Sequence, residues 1–240
     1  MLLVFGDTLV LDRWRWVRSQ LPPIKSSILD AGCGNGWLAI NCAKLGHDSL
    51  GLGWSDRDLD VAQERALWFR SNARFEVQDL RELECRNDLV QTFDVVTCSE
   101  VVEHIIDDAR LVRTLAALLR PGGIMLLTAP SSQYVPIDSG DAGPFNMVED
   151  GGHVRKGYSP ADFRYLVEQA ELEVEEVAYC SGRASQSVTR ILRRLTRSIS
   201  YIPAWLLTFP LRLLPWMTER GCPQYPPYSI CLRARKPITG

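Results

Sequence analysis

SSILDAGCGNG, residues 26–36, decides the fold. Residues 26–31 are a short apolar run that enters a glycine cluster, the pattern of a buried strand meeting a tight turn. A helix over residues 37–45 follows, closed by Gly46. Working outward, strands are expected at residues 49–54, 75–77, 93–98 and 124–128. Helices are expected at 56–71 and 111–119, the second ended by Pro121-Gly122-Gly123. Strand and helix alternate repeatedly, which argues for a parallel sheet with helices on both faces. After a Gly-, Pro- and Asp-rich loop over 129–157, Ser159, Pro160 and Asp162 open another helix. Late strands at 172–180 and 228–236 are separated by a segment, 181–226, that carries helical signals of its own.

The chain has 240 residues, enough for one substantial core. With 27 Lys and Arg against 29 Asp and Glu, it has no overall field for nucleic acid. Seven cysteines without a CxxC pair do not form a disulfide framework, so a reducing cytoplasm is the expected setting. Residues 1–10 are apolar but lack a basic region or cleavage site, so no signal peptide is expected. No run of about 18 apolar residues is free of interruption. Residues 199–217 come nearest, broken by Pro203, Pro210, Arg212 and Pro215.

Glycines at 32, 34 and 36 let the backbone turn tightly and approach a ligand closely. A dinucleotide-binding GxGxxG would need glycine at position 37, which is Trp37, and an acid near the end of the second strand, where Gly53 stands. The acid instead precedes the glycines, at Asp30. A cofactor with an ammonium group and no pyrophosphate suits that order better.

ILDAGCGNG (28–36), QDL (78–80), FDVVTCSEVVEH (93–104) and LLRPGGIMLLTAP (118–130) occur in order. Over residues 25–180 the chain resembles class I S-adenosylmethionine-dependent methyltransferases. The resemblance implies an α/β, Rossmann-like fold with a seven-stranded, mostly parallel sheet whose last strand is antiparallel. The expected single domain has its core at 25–180 and 227–237 and a helical insertion at 181–226. The implied cofactor is S-adenosylmethionine. Asp30 and Gly32, with Cys33 and Gly34 in the same turn, would face its amino-acid part. Asp79 would approach the adenine amino group with Leu80 packing nearby, and Cys98 and Ser99 would line the site. The family usually has an acid where this chain has Gly53. Asp56 is then a ribose ligand or only a helix cap, and Trp54 would pack on the adenosine.

If the acceptor is a hydroxyl, some group must take its proton. Of the three histidines, His47 in LGHD reads as a solvated turn residue. His153 lies in the loop expected over the carboxyl ends of the strands and is the first candidate base, unless it merely braces that loop. On a helix beginning near Ser99, Glu100, Glu103 and His104 would share a face. Carboxylate and imidazole together suit a divalent cation. Ubiquinone-pathway O-methyltransferases carry a similar ExxEH with a later histidine, but such segments also brace the helix without metal. No metal is assigned here.

From 189 to 202, Ile191, Leu192, Leu195, Ile199 and Ile202 are expected on one helical face, with Arg190, Arg193, Arg194 and Arg197 around them. Trp205, Leu206, Leu207, Phe209, Leu211, Leu213, Leu214 and Trp216 follow. The segment is read as a lid or a packed helical pair with its arginines in water. A dimer contact, or peripheral membrane contact through 189–217, is the alternative. The expected reaction is methyl transfer to an O, N or C nucleophile, oxygen first, on a small or lipid-linked acceptor, with nucleic acid disfavoured. The rivals are a non-catalytic S-adenosylmethionine-binding module and a nicotinamide-dependent oxidoreductase.

Overall fold

A computed structural model describes residues 6–215 and 225–238. Its first half runs α1 (Thr8–Gln20), β1 (Ser27–Ala31), α2 (Trp37–Lys44), β2 (Asp48–Gly53), α3 (Asp56–Trp68), β3 (Arg74–Val77) and β4 (Phe93–Ser99). There follow α4 (Asp108–Leu118), β5 (Leu119–Pro130), α5 (Pro160–Glu168), β6 (Glu173–Cys180), α6 (Arg183–Ser198), α7 (Tyr201–Thr208) and β7 (Ser229–Arg235). The strands form one sheet in the order β3-β2-β1-β4-β5-β7-β6. Pairing is parallel from β3 to β5, and β7 runs antiparallel to both β5 and β6. The expected α/β sheet with an antiparallel last strand is therefore present.

The central strands are apolar on both faces because each face is covered by helices. Ile28, Val95 and Leu126 pack with Trp14 and Val17 of α1 and Leu38 and Cys42 of α2. Their strand neighbours Leu29, Val96 and Leu127 point the other way and pack with Leu111 and Leu115 of α4 and Phe163 and Leu166 of α5. Cys98, expected to line the site, has no exposed surface and belongs to this second core. Each such side chain contributes roughly 1.5–3 kcal/mol by leaving water.

α1 was not anticipated. Asp7 caps it by accepting from the backbone N–H groups of Leu9 and Val10, and Leu11, Trp14 and Val17 form its buried stripe. Trp14 meets Trp37 edge-on, with centroids 6.4 Å apart. His47 also departs from expectation: it is buried, and its Nδ1 accepts from the Ser26 N–H at 3.3 Å, tying the α2–β2 turn to the start of β1.

The 189–202 reading needs correction as well. α6 ends at Ser198, and α7 begins at Tyr201. Leu192 is buried whereas Ile191, Ile199 and Ile202 are exposed, so they do not form one inward face. The arginines are not simply solvated. Arg193 pairs with Asp138 and Asp141, Arg197 lies 3.6 Å from Asp138, and Arg190 donates to the Ile137 carbonyl. Trp216 and Met217 lie outside the described residues.

Candidate active site

A cleft of about 360 Å³ opens at the carboxyl ends of β1, β2 and β4, the usual place for a ligand in such a sheet. One end is built from turns. Gly32 has φ +81°, and a Cβ there would fall 2.4 Å from Val101 Cγ2. Gly34 has φ +48° with open space in front of it. Both line the cleft, with Gly53, Trp54, Ser55, Asp58, Asp79, Leu80 and Arg81. Trp54 stands 63 % exposed at its edge.

Of the residues expected at a cofactor, Gly32, Gly34, Trp54, Asp79 and Leu80 line this cleft, while Asp30, Cys33, Asp56 and Ser99 do not. Asp30 lies behind the turn, where Oδ2 accepts from the Ala39 N–H and Oδ1 from the Thr97 hydroxyl, each at 3.3 Å. Burial pushes its carboxyl up to about 7, against those two hydrogen bonds. Cys33 turns inward beneath Gly51 and Gly53. Ser99 shares a hydrogen bond with Thr128 at 2.9 Å. The cap of α3 is Ser55, whose Oγ accepts from the Asp58 N–H. Asp56 is thus the first helical residue, and Asp58 is the acid that reaches the cleft.

Asp79 is held by Arg81, whose Nε lies 2.9 Å from Oδ1 and 3.0 Å from Oδ2. This guanidinium keeps the Asp79 carboxyl below its ordinary range. Arg81 also reaches Glu149 at 3.3 Å. Arg81, Glu149 and Gly151 escaped the sequence reading. The last two arrive on a loop whose course depends on tertiary bonds.

The other end is built from side chains brought from afar. Glu100 does not begin a helix. Its φ of +55° places it in the left-handed region, and only a single 3-10 turn, Val102–His104, follows. Glu100 therefore faces Arg13 of α1 at 3.7 Å rather than sharing a helical face with Glu103 and His104. Glu103 is fully buried, and neither carboxylate oxygen has a hydrogen-bond partner among the described residues. Burial, reinforced by Glu100, raises its carboxyl well above the ordinary range.

The loop after β5 is stitched over this end. Val154 N–H donates to the Glu103 carbonyl at 2.9 Å, and Arg155 pairs with Asp108. Tyr158 Oη lies 2.6 Å from the same Asp108 carboxylate. Glu149 accepts from the Ile106 N–H at 2.5 Å. These bonds bring His153 against His104, ring centroids 4.6 Å apart and nearly perpendicular. His104 lines the cleft and His153 stands one ring behind it. Burial, then His104, holds the His153 imidazole below its usual pKa and so neutral at pH 7. One ligand atom each from Glu103, His104 and His153 lie within 4.8 Å of one another, an arrangement able to hold a cation.

The profile of a methyltransferase-domain family matches residues 12–177. A ubiquinone biosynthesis O-methyltransferase of Coxiella burnetii is 31 % identical over 144 residues, covering 59 % of this chain and 60 % of that protein. The alignment thus spans less than two thirds of that relative. The protein of the same name from Albidiferax ferrireducens is 30 % identical over 195 residues, 80 % of this chain and 69 % of its own length. In fold, the chain is similar to an S-adenosylmethionine-dependent methyltransferase from Mesorhizobium loti. The TM-score is 0.60 at 20 % identity, covering 93 % of this chain and 97 % of the other.

Proposed function

The chain belongs to the class I S-adenosylmethionine-dependent methyltransferase family, and we propose that it transfers the cofactor's methyl group to an oxygen nucleophile on a small or lipid-linked acceptor. One observation carries the reading. Among the described residues the cleft that begins at the glycine turn is lined by four carboxylates, Asp58, Asp79, Glu100 and Glu149, against one lining guanidinium, Arg81, held by Asp79 and Glu149, and Arg13 beside Glu100. Such a lining favours a sulfonium and an ammonium group and repels a pyrophosphate, which disfavours a nicotinamide cofactor. The cradle also fits in shape, since Gly34 faces open space and Gly32 lets the turn lie against Val101, where a Cβ would clash.

When bound, S-adenosylmethionine supplies an activated methyl group, so alignment for in-line displacement is the main demand on the protein. Gly32 and Gly34 bring backbone against the amino-acid part. Asp79, kept ionised by Arg81, accepts from the adenine amino group, with Leu80 against the ring. Asp58 takes the ribose role for which position 53 offers no acid, and Trp54 covers the adenosine. At the other end His104 faces the acceptor and takes its hydroxyl proton. His153, neutral and in ring contact, supports that transfer from behind. The O-methyltransferase names of the relatives support oxygen as the acceptor atom.

A second reading rests on Glu103. A buried carboxylate with no hydrogen bond to either oxygen, and only His104 Nε2 3.8 Å from Oε1, is costly unless something compensates it. A divalent cation on Glu103, His104 and His153 would do so, and would polarise an acceptor hydroxyl as a Lewis acid.

The test is calorimetric titration with S-adenosylhomocysteine and with NAD. A labelled-methyl assay on phenolic acceptors follows, with and without isoprenoid tails and in the presence of Mg²⁺ or EDTA. Homocysteine-ligand binding without NAD binding, followed by labelled ether product, is expected. Binding with no product from any acceptor favours a non-catalytic binding module, and NAD binding overturns the cofactor assignment.

A further inference from the structure

We infer that the outer face of α6 and α7 is a docking surface for an anionic lipid bilayer. α7 and the 3-10 turn after it, Phe209–Leu213, are amphipathic the wrong way round for simple packing, and α6, which buries Val188 and Leu192, lines its inner face with polar groups as well. The side chains that α6 buries include Ser185, Gln186 and Thr189, and those of α7 are Ala204 and Thr208. Part of this inward face is held by polar bonds. Thr8 Oγ1 donates to the Ser185 carbonyl at 2.7 Å and lies 2.9 Å from Thr189 Oγ1, while Gln186 Nε2 donates to the Ser181 and Pro226 carbonyls at 2.9 Å. Outward stand the large apolar groups: Ile202 at 71 % exposure, Leu207 at 63 %, Leu213 at 61 %, Leu206 at 59 % and Phe209 at 55 %. Folding therefore does not account for their hydrophobicity, and an exposed apolar patch of this kind marks an interaction surface.

Charge identifies the partner. Residues 181–226 contain seven arginines and one acid, Glu219, whereas the rest of the chain holds 20 basic against 28 acidic residues; Arg212 is buried, and Arg193 and Arg197 face Asp138. Arg194 is exposed on α6, and Arg197, also exposed, has Asp138 3.6 Å away as its counter-charge. Apolar side chains flanked by arginine suit the interface of an anionic leaflet, with the apolar groups below the headgroups and the guanidiniums among the phosphates. A second copy meeting the same face would bring arginine against arginine, which disfavours a symmetric dimer. No helix among the described residues is long and apolar enough to cross a membrane, so the contact is peripheral.

Vesicle co-sedimentation tests this without acceptor or cofactor, so its outcome is separate from that of the methyl-transfer reading. Vesicles of phosphatidylcholine, and of an equimolar mixture with phosphatidylglycerol, are compared. The unaltered chain should sediment with the mixture, release at high salt, and bind phosphatidylcholine weakly. Leu206→Ser with Leu207→Ser should lower the partition coefficient on the order of a hundredfold on the mixture. Arg194→Gln with Arg197→Gln should lower it about tenfold there and leave phosphatidylcholine binding unchanged. Unchanged melting temperatures certify that the variants fold. Hydrogen exchange on the unaltered chain, protected over residues 201–213 when vesicles are added, gives support independent of any variant. The proposal is overturned by absence of sedimentation with either vesicle, by equal binding to both, or by light scattering that finds a dimer dissolved by the leucine variant.

Discussion

The two ends of the cleft are made by different means. The glycine end is mainly backbone, held by short-range turns such as the Gly36 N–H to Cys33 carbonyl bond and by Gly32 and Cys33 N–H groups donating to Leu52 at 2.9 Å. The histidine end is side chains, assembled from α1, the β4–α4 junction and the loop after β5. A backbone cradle recognises one shape and tolerates no added atom. A side-chain end can be re-lined by substitution without disturbing the sheet, which suits the part of a methyltransferase that meets the acceptor.

The largest effect should come from adding one carbon at the glycine end. Gly32→Ala forces a Cβ against Val101 at a left-handed backbone position, at a cost of roughly 3–5 kcal/mol spread over lost S-adenosylhomocysteine affinity and lowered melting. Adding Val101→Ala should restore part of it. No restoration would mean that backbone conformation, not the clash, sets the limit.

Next, His104→Ala should lower methyl transfer about 10²–10³-fold while S-adenosylhomocysteine affinity in calorimetry stays within about twofold. A parallel fall in cofactor affinity would break the division between the two ends.

Asp30 sharpens the comparison through pH. Its folded carboxyl is raised from the ordinary 3.8 to about 7. The protonated form therefore favours folding: the contribution is fully present below about 4 and is lost as pH rises through about 7. Urea midpoints of the ligand-free chain should fall across that window by a few kcal/mol in stability, and Asp30→Asn should flatten the decline. An equal slope in the variant would assign the effect elsewhere.

The smallest effect concerns Glu103. Glu103→Gln should leave metal-free stability within about 1 kcal/mol or raise it, since a buried unpaired acid is replaced by a neutral isostere. It should also abolish any rise in melting temperature caused by Mn²⁺ or Mg²⁺. A cation response that survives the substitution removes Glu103 from the site.

This division also explains what could be read beforehand. The β1–turn–α2 unit was legible because glycine spacing and an apolar run constrain conformation locally. Asp58 lines the cleft and Asp56 opens α3 behind its Ser55 cap, a difference the sequence does not report because a Ser cap and an Asp cap look alike in one dimension. The cap at Ser55 rotates the helix so that Asp58, not Asp56, faces the cleft. LGHD has the pattern of any solvated turn, and the burial of His47 against Ser26 depends on tertiary contact. Helical spacing through ExxEH failed because Glu100 lies at the end of a strand in a left-handed conformation that sequence pattern does not report. His153 was identifiable as a loop histidine, but its partner His104 and its distance from the cleft depend on the Val154–Glu103 bond. α1 carried a readable stripe and cap at Asp7, overlooked in favour of the apolar character of the first residues.

The contact between Thr8 and Thr189 joins residues 181 positions apart, and Arg13 of the same helix faces Glu100. During synthesis, the glycine turn has most of its sheet partners once β4 has emerged. Helix α1, made before the sheet, must wait for α6 before it is clasped from both sides. The order of assembly is thus opposite to the order of translation at the histidine end. A nascent chain should acquire its glycine turn well before the start of α1 is locked in place, leaving Leu9, which packs with Tyr134, Ile137 and Tyr228, among the last of the early residues to be sheltered from chaperones.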